Sequence, residues 1–232
     1  MDKKLKMASF FAGVGGIDLG FKQTGKIETV YANEFDSYPV KTFELNFRLK
    51  VDCRDINEVQ SNEVPNVDII CGGFPCQAFS IAGYRKGFDD EKGRGTLFFE
   101  MLRIIRDKKP RVVFFENVKN LVGHDNGNTF RVILDALKGE GYTTRHMVLN
   151  AMEYGNTPQN RERIYIVGFL NENDVAKFSF PDPIPLTKKL SDIIDFNHKV
   201  EEKYYYTPGK YKGDIYEKLD EAMDNENAVY QW

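Results

Sequence analysis

Residues Val67–Ser80 read VDIICGGFPCQAFS. The short apolar run Val67 to Cys71 stops at Gly72-Gly73, and a Phe-Pro turn then delivers Cys76 into a polar, glycine-rich loop. This is a strand handing a thiol to a cleft, because ligand and catalytic groups of open α/β sheets sit beyond the carboxyl ends of their strands. Gly72 and Gly73 let the backbone come close to a neighbour, and Pro75 fixes φ so that the thiol has a defined direction. Cys71 and Cys53 fit the usual role of a free cysteine, a small inert apolar residue; Cys76, flanked by proline and glutamine, does not.

Upstream, Ala8 to Phe11 reads as a strand and Ala12-Gly13-Val14-Gly15-Gly16 as a sharp turn. The segment carrying Ile17 and Phe21, stopped at Thr24-Gly25, then reads as a helix. Such a loop leaves main-chain N–H groups near a helix N-terminus, with room for a ligand against the backbone. A second strand, Ile27 to Ala32, ends at Asn33-Glu34-Phe35-Asp36. An acidic residue at that tip, roughly 20 residues past the glycine loop, is where a ribose would be held by its hydroxyls, and Glu34 is the candidate. Asp36 caps a helix whose Tyr38, Val40, Phe43 and Phe47 read as core. A third short strand near Lys50 to Cys53 leads to Arg54-Asp55-Ile56. There Asp55 either accepts from the exocyclic amine of an adenine or caps the turn beginning at Ile56.

Downstream, Gly83 to Gly95 is glycine-rich, charged and without apolar periodicity, as in a mobile lid. Its Arg85, Lys86, Lys92 and Arg94 either meet phosphates or belong to a solvated loop. Thr96 opens a helix with Phe98, Met101, Leu102 and Ile105 on one face, ended by Lys108-Lys109-Pro110. The most apolar strand, Val112 to Phe115, again ends in polar residues, Glu116-Asn117-Val118, so neighbouring strands present a thiol and a carboxylic acid at one sheet edge. His124 to Thr129 is turn chemistry before a helix with Phe130, Ile133, Leu134 and Leu137 at the 3.6 period. Strands near Thr143–Leu149 and Arg163–Phe169 bracket a loop that ends in Arg161-Glu162-Arg163. Arginines at alternate positions share one face of the pleat and suit a planar or anionic group. Beyond Phe180 a proline-rich kink, residues 181–185, opens a lysine-, acid- and tyrosine-rich region with Tyr204-Tyr205-Tyr206 and no convincing period. The chain thus divides into a domain over residues 1–180 and a linker with the start of a C-terminal region over 181–232.

With 232 residues, 41% of them hydrophobic, the chain can bury a proper core. No run approaches the ~18 apolar residues of a membrane span. The lysines before Ala8–Phe11 precede too short an apolar run for a signal peptide. Three cysteines without paired spacing and three histidines argue against a disulfide framework and a zinc site, so a metal-free protein in a reducing, cytoplasmic setting is expected. A formal charge of −3 means that any nucleic-acid contact comes from a local basic surface or another chain.

Taken in order, FAGVGG, NEFD, RDI, GGFPCQAFS, GTLFF, ENV and QNRER closely resemble the motifs of the DNA (cytosine-5) methyltransferase family, from Met7 to about Phe180. The resemblance implies an α/β fold, a doubly wound, mostly parallel sheet of the S-adenosylmethionine-dependent, Rossmann-like kind. It implies that Phe11, Gly13, Gly15 and Gly16, with Glu34 on the ribose and Asp55 and Ile56 at the adenine, hold S-adenosylmethionine and release S-adenosylhomocysteine. Phe11 and Phe35 would line the adenine, and Pro75 and Leu97 would complete the pocket. Cys76 would be the nucleophile that adds to C6 of a cytosine flipped out of duplex DNA, Arg161 would stabilise its thiolate, Glu116 would engage the base N3, and Arg163 would take the O2 carbonyl. The family's late motifs, one of the form RxLTxRExxRLQGFP and a last one with Gly-Asn, have no counterpart here, and the final ENAVYQW resembles the entry to a target-recognition region. The expectation is therefore a catalytic portion of a restriction-modification enzyme. The alternative is a cofactor-binding fragment or split subunit, inactive until a second chain supplies recognition. The Cys-Phe-Thr tripeptide of the related tRNA enzymes and the Asp/Asn-Pro-Pro-Tyr/Phe string of amino-methylating enzymes are absent.

Overall fold

Strand- and helix-forming stretches alternate along the chain, and alternation of this kind folds as a parallel sheet covered on both faces. A computed structural model describes residues 3–75, 97–195 and 197–202. Cys76, the segment anticipated as a lid with Arg85, Lys86, Lys92 and Arg94, Thr96, and Tyr204 to Tyr206 lie outside the described residues. The elements in order are β1 (Leu5–Phe10), α1 (Gly16–Gln23), β2 (Ile27–Asn33), α2 (Ser37–Phe47), β3 (Ile69–Gly72), α3 (Leu97–Lys108) and β4 (Val112–Val118). There follow α4 (Asn128–Gly139), β5 (Thr143–Asn150), α5 (Ala151–Tyr154), β6 (Glu162–Phe169) and α6 (Glu172–Lys177). One six-stranded sheet runs β2-β1-β3-β4-β6-β5. The pairs β1–β2, β1–β3 and β3–β4 are parallel, and β6 runs antiparallel to both neighbours. The chain leaves β1 in one direction to form β2 and crosses back to β3 on the other side. The switch point, where α/β sheets bind ligands, therefore lies at the carboxyl ends of β1 and β3.

Side-chain alternation along the strands separates two apolar layers. Ala8, Phe10, Ile70, Val113, Phe115, Ile164 and Ile166 face α3 and α4, which contribute Phe98, Met101, Leu102, Ile105, Ile133 and Leu137. On the opposite face Met7 and Cys71 pack with Ile17 and Phe21 of α1, and Val167 and Phe169 pack with Val175 of α6. Each fully buried side chain of this size contributes about 1.5–3 kcal/mol. Among the described residues no helix is long and apolar enough to cross a membrane, and no cluster of His, Cys, Asp or Glu could hold a metal ion.

Three local expectations differ from the structure. The strand anticipated at Lys50–Cys53 reduces to a single parallel bridge between Asn33 and Asp52. Tyr38, expected in the core, is 78% exposed, while Val40 and Phe43 of the same helix are buried. Cys53 is exposed rather than buried, with its Sγ 3.6 Å from the Phe35 carbonyl. Contact density divides the chain into units Met1–Thr187 and Lys188–Trp232. The first reaches past Phe180 because Thr187 N donates to Asn156 Oδ1 (2.8 Å) and Ile184 N to the Glu153 carbonyl (2.7 Å). In the second, a short 3-10 turn at Leu190–Asp192 is closed by Lys189 N donating to Asp192 Oδ2 at 2.9 Å.

Candidate active site

The loop after β1 turns by left-handed backbone at three positions: Phe11 (φ 51°), Gly13 (φ 55°) and Gly15 (φ 89°). Gly15 caps α1, and a side chain there would run into the ring of Phe47, so glycine is required on both counts. Phe11 has no such freedom, and a non-glycine residue in this region stores strain of the sort found at functional sites. Its ring packs partly buried against the main core.

Glu34, at the tip of β2, is only 8% exposed although it is a carboxylic acid. Its two oxygens are held apart by main-chain donors: Gly13 N gives to Oε2 at 3.0 Å and Asp36 N to Oε1 at 3.1 Å. The carboxylate is thus fixed against the glycine loop before any ligand arrives. Phe35 beside it is 70% exposed. Asp55 does cap its turn, accepting at Oδ1 from Asn57 N (2.9 Å) and Asn57 Nδ2 (2.6 Å). The cap uses one oxygen, so it is compatible with a ligand on the other. Ile56 is 2% exposed, which leaves only its main chain for a ligand. Pro75, exposed, and Leu97, half-buried, are the described residues on either side of the Cys76 segment.

A second group gathers at the carboxyl end of β4. Glu116 faces β6, where Arg163 Nε lies 3.1 Å from its Oε1, and Arg161 Nη2 lies 3.8 Å from the same oxygen. In the antiparallel register Glu116 is opposite Tyr165 and Val118 is opposite Arg163, so Arg163 reaches Glu116 diagonally across the pair. The other carboxylate oxygen lies on the side of Gly73, where a Cβ would come within 3.4 Å of it. Gly73 is three residues before Cys76 in the chain. The adjacent Asn117, 4% exposed, points to the opposite face and donates from Nδ2 to the Phe74 carbonyl at 2.8 Å, pinning the chain just before Pro75. Burial, with a smaller contribution from the nearby Glu116 charge, pushes the Tyr165 hydroxyl up from its ordinary range.

The structure therefore brings together Glu116, Arg161 and Arg163, and separately the glycine loop with Glu34. Sequence reasoning did not find the buried cluster beneath that loop. Asp18 of α1, 1% exposed, accepts from Ser9 Oγ at 2.9 Å and Thr29 Oγ1 at 2.7 Å. Desolvation raises its pKa against the opposing pull of these hydrogen bonds. It also missed Asn33 and Arg54. An acidic residue in an otherwise apolar first helical turn was the available signal for Asp18; Asn33 and Arg54 gave none.

A model of the C-5 cytosine-specific DNA methylase family matches residues 5–230. The chain is 54% identical over 228 residues to the Type II methyltransferase M.Bsp6I of Bacillus sp. (strain RFL6), covering 98% of this chain and 71% of that protein. It is 46% identical over 197 residues to the Type II methyltransferase M.HhaI of Haemophilus parahaemolyticus, covering 85% of this chain but only 59% of the relative. In fold it is similar to the crystal structure of a Spodoptera frugiperda DNMT2 mutant, with TM-score 0.66 and 24% identity over 86% of this chain and 62% of that one. On the strength of the match along nearly its whole length, the chain belongs to the C-5 cytosine-specific DNA methylase family.

Proposed function

We propose that this chain carries the cofactor-binding and catalytic machinery of a DNA (cytosine-5) methyltransferase of restriction-modification type, with residues 1–180 as the catalytic domain. The single observation that carries the reading is the Glu116 constellation: a carboxylate paired with Arg163 at 3.1 Å, its other oxygen beside Gly73, on the strand adjoining the one that leads to Cys76. Cytosine C5 is too poor a nucleophile to take a methyl group unaided. Addition of the Cys76 thiolate to C6 breaks the aromaticity and makes C5 enamine-like. Arg161 stabilises that thiolate, Glu116 shares a proton with the base N3 as charge develops on the ring, and Arg163 takes the O2 carbonyl. Once C5 bears the transferred methyl group, loss of the C5 proton and expulsion of Cys76 restore the aromatic ring and the free enzyme. The chemistry requires the base out of the stack, with the loop after Cys76 closing over it.

The residues present fit S-adenosylmethionine. The pinned Glu34 carboxylate suits a ribose diol, Asp55 an adenine amine, and the left-handed loop brings main chain against the ligand. Phe11, Phe35, Pro75 and Leu97 supply apolar walls, and Gly16 starts α1 without a side chain in the way. When bound, this cofactor supplies the electrophilic methyl group.

The test is the intact mass of the protein after incubation with S-adenosylmethionine and duplex DNA of mixed sequence carrying 5-fluorocytosine. Fluorine cannot leave as the C5 proton does, so turnover stops at the covalent stage. A protein–DNA adduct from the wild type, absent with Cys76→Ser although that variant still binds S-adenosylhomocysteine, is the expected result. An adduct that persists in Cys76→Ser overturns the nucleophile assignment.

A further inference from the structure

Three separate segments make the proposed adenosine site: the glycine loop after β1, the tip of β2, and the 52–56 segment. One buried side chain, that of Asn33, lies where they meet. It is 2% exposed. Its Nδ2 donates to the Asp52 carbonyl at 3.0 Å and to the Arg54 carbonyl at 2.9 Å, and the main-chain carbonyl of the same residue accepts from Ala12 N at 3.1 Å. Because both side-chain partners are carbonyls, only the amino end of the amide can face them, so the orientation is fixed by chemistry.

We infer that Asn33 is a positioning residue for the cofactor. It acts by holding the Arg54 carbonyl, and with it Asp55, at a set distance from Glu34 and the glycine loop, and it does not touch the ligand itself. The inference rests on the proposed S-adenosylmethionine site. The Asp52 carbonyl keeps a second donor, Glu34 N at 3.2 Å, whereas no other donor to the Arg54 carbonyl is found among the described residues. That carbonyl directly precedes Asp55. Removing the donor leaves a partly buried acceptor unsatisfied, and the 54–56 segment relieves this by moving toward solvent, carrying Asp55 away from Glu34. Asn33→Asp goes further, since it places a carboxylate oxygen against two carbonyl oxygens.

The experiment is calorimetric titration of S-adenosylhomocysteine into the full chain as wild type, Asn33→Ala, Asn33→Asp and Leu137→Ala. The last variant lowers stability through the buried face of α4, remote from the site. Asn33→Ala is expected to weaken binding on the order of tenfold and Asn33→Asp more, with Leu137→Ala unchanged. In the transfer assay the Asn33 variants raise KM for S-adenosylmethionine by the matching factor and leave kcat within about twofold, a split that general loosening of the fold would not give. If Asn33→Ala does not fold, the isosteric Asn33→Asp carries the test. Wild-type affinity in the Asn33 variants, or an equal loss in Leu137→Ala, overturns the inference while the cofactor reading stands. Failure of the wild type to bind at all overturns both.

Discussion

Glu116 and Asp18 are both carboxylic acids in partly or wholly dry surroundings, and their neighbours give them different work. Glu116 has two guanidinium groups on one oxygen, and beside the other stands Gly73, which carries no side chain, an arrangement that suits a group that meets a substrate. Glu116→Gln keeps the shape and removes the titratable proton. It should lower kcat by about 10²–10⁴-fold while leaving S-adenosylhomocysteine affinity unchanged, and a fully active variant would remove Glu116 from the chemistry. Asp18, in contrast, is enclosed by Ser9 and Thr29 and ties β1, α1 and β2 together under the glycine loop. Burial raises its folded pKa above the ordinary aspartate value of 3.8, so the native state binds its proton more tightly than the unfolded chain does. The stability associated with that proton is fully present below 3.8 and is lost as pH rises through the raised folded value. Asp18→Asn cannot ionise. Urea melts should therefore show the wild type losing more stability than Asp18→Asn as pH rises from about 4 to neutrality, and parallel curves would count against the assignment.

The strand β3 is short, and its role is to set a loop rather than to enclose a core. Its last residue, Gly72, lies between β1 and α3, where an added Cβ would stand 2.7 Å from Met101 Cε and 2.8 Å from the Phe10 carbonyl. The methionine can swing aside; the carbonyl cannot. Gly72→Ala should cost about 1–3 kcal/mol in chemical denaturation, and a neutral result would mean that β1 and β3 separate more easily than their pairing implies. The helix α3 has a comparable positioning role. Arg103 extends from it to donate to the carbonyls of Val59 (2.8 Å) and Ile56 (3.4 Å) and to Ser61 Oγ (3.2 Å), so the turn that begins at Asp55 is fastened to the helix that starts at Leu97. On the other side Arg54 clamps Asp52 through two bonds, 2.8 and 2.7 Å, and holds the Asp52 carboxyl below its usual range.

Residues 5–169 build one sheet, and the proposed cofactor site lies at the carboxyl ends of β1 and β2, so ligand occupancy and the stability of that unit are linked. S-adenosylhomocysteine at about 100 times its Kd stabilises a native state by about 2.7 kcal/mol, or about 5–10 °C in Tm for a chain of this size. Scanning calorimetry should show that shift in the wild type and in Cys76→Ser, and only a small part of it in Glu34→Ala; a full shift in Glu34→Ala would place the cofactor elsewhere. The strand–glycine–helix unit, the acidic tip of β2 and the Glu-Asn-Val end of β4 were legible in the residues because each is a local signal, carried by periodicity and turn chemistry within about a dozen positions. The order of motifs added the family. What residues alone left open depends on contacts between distant segments. Antiparallel β6, inserted between β4 and β5, brings Arg161 and Arg163 to Glu116 from more than forty positions away. Pairing with Asp52 turns Asn33 from an unremarked polar residue into a junction. Packing leaves Tyr38 outside on a helix whose period includes it. Local propensity specifies which elements form, because it is settled by neighbours in the chain. Which polar groups meet, and which apolar ones stay wet, is settled only when strands find their partners and close the sheet.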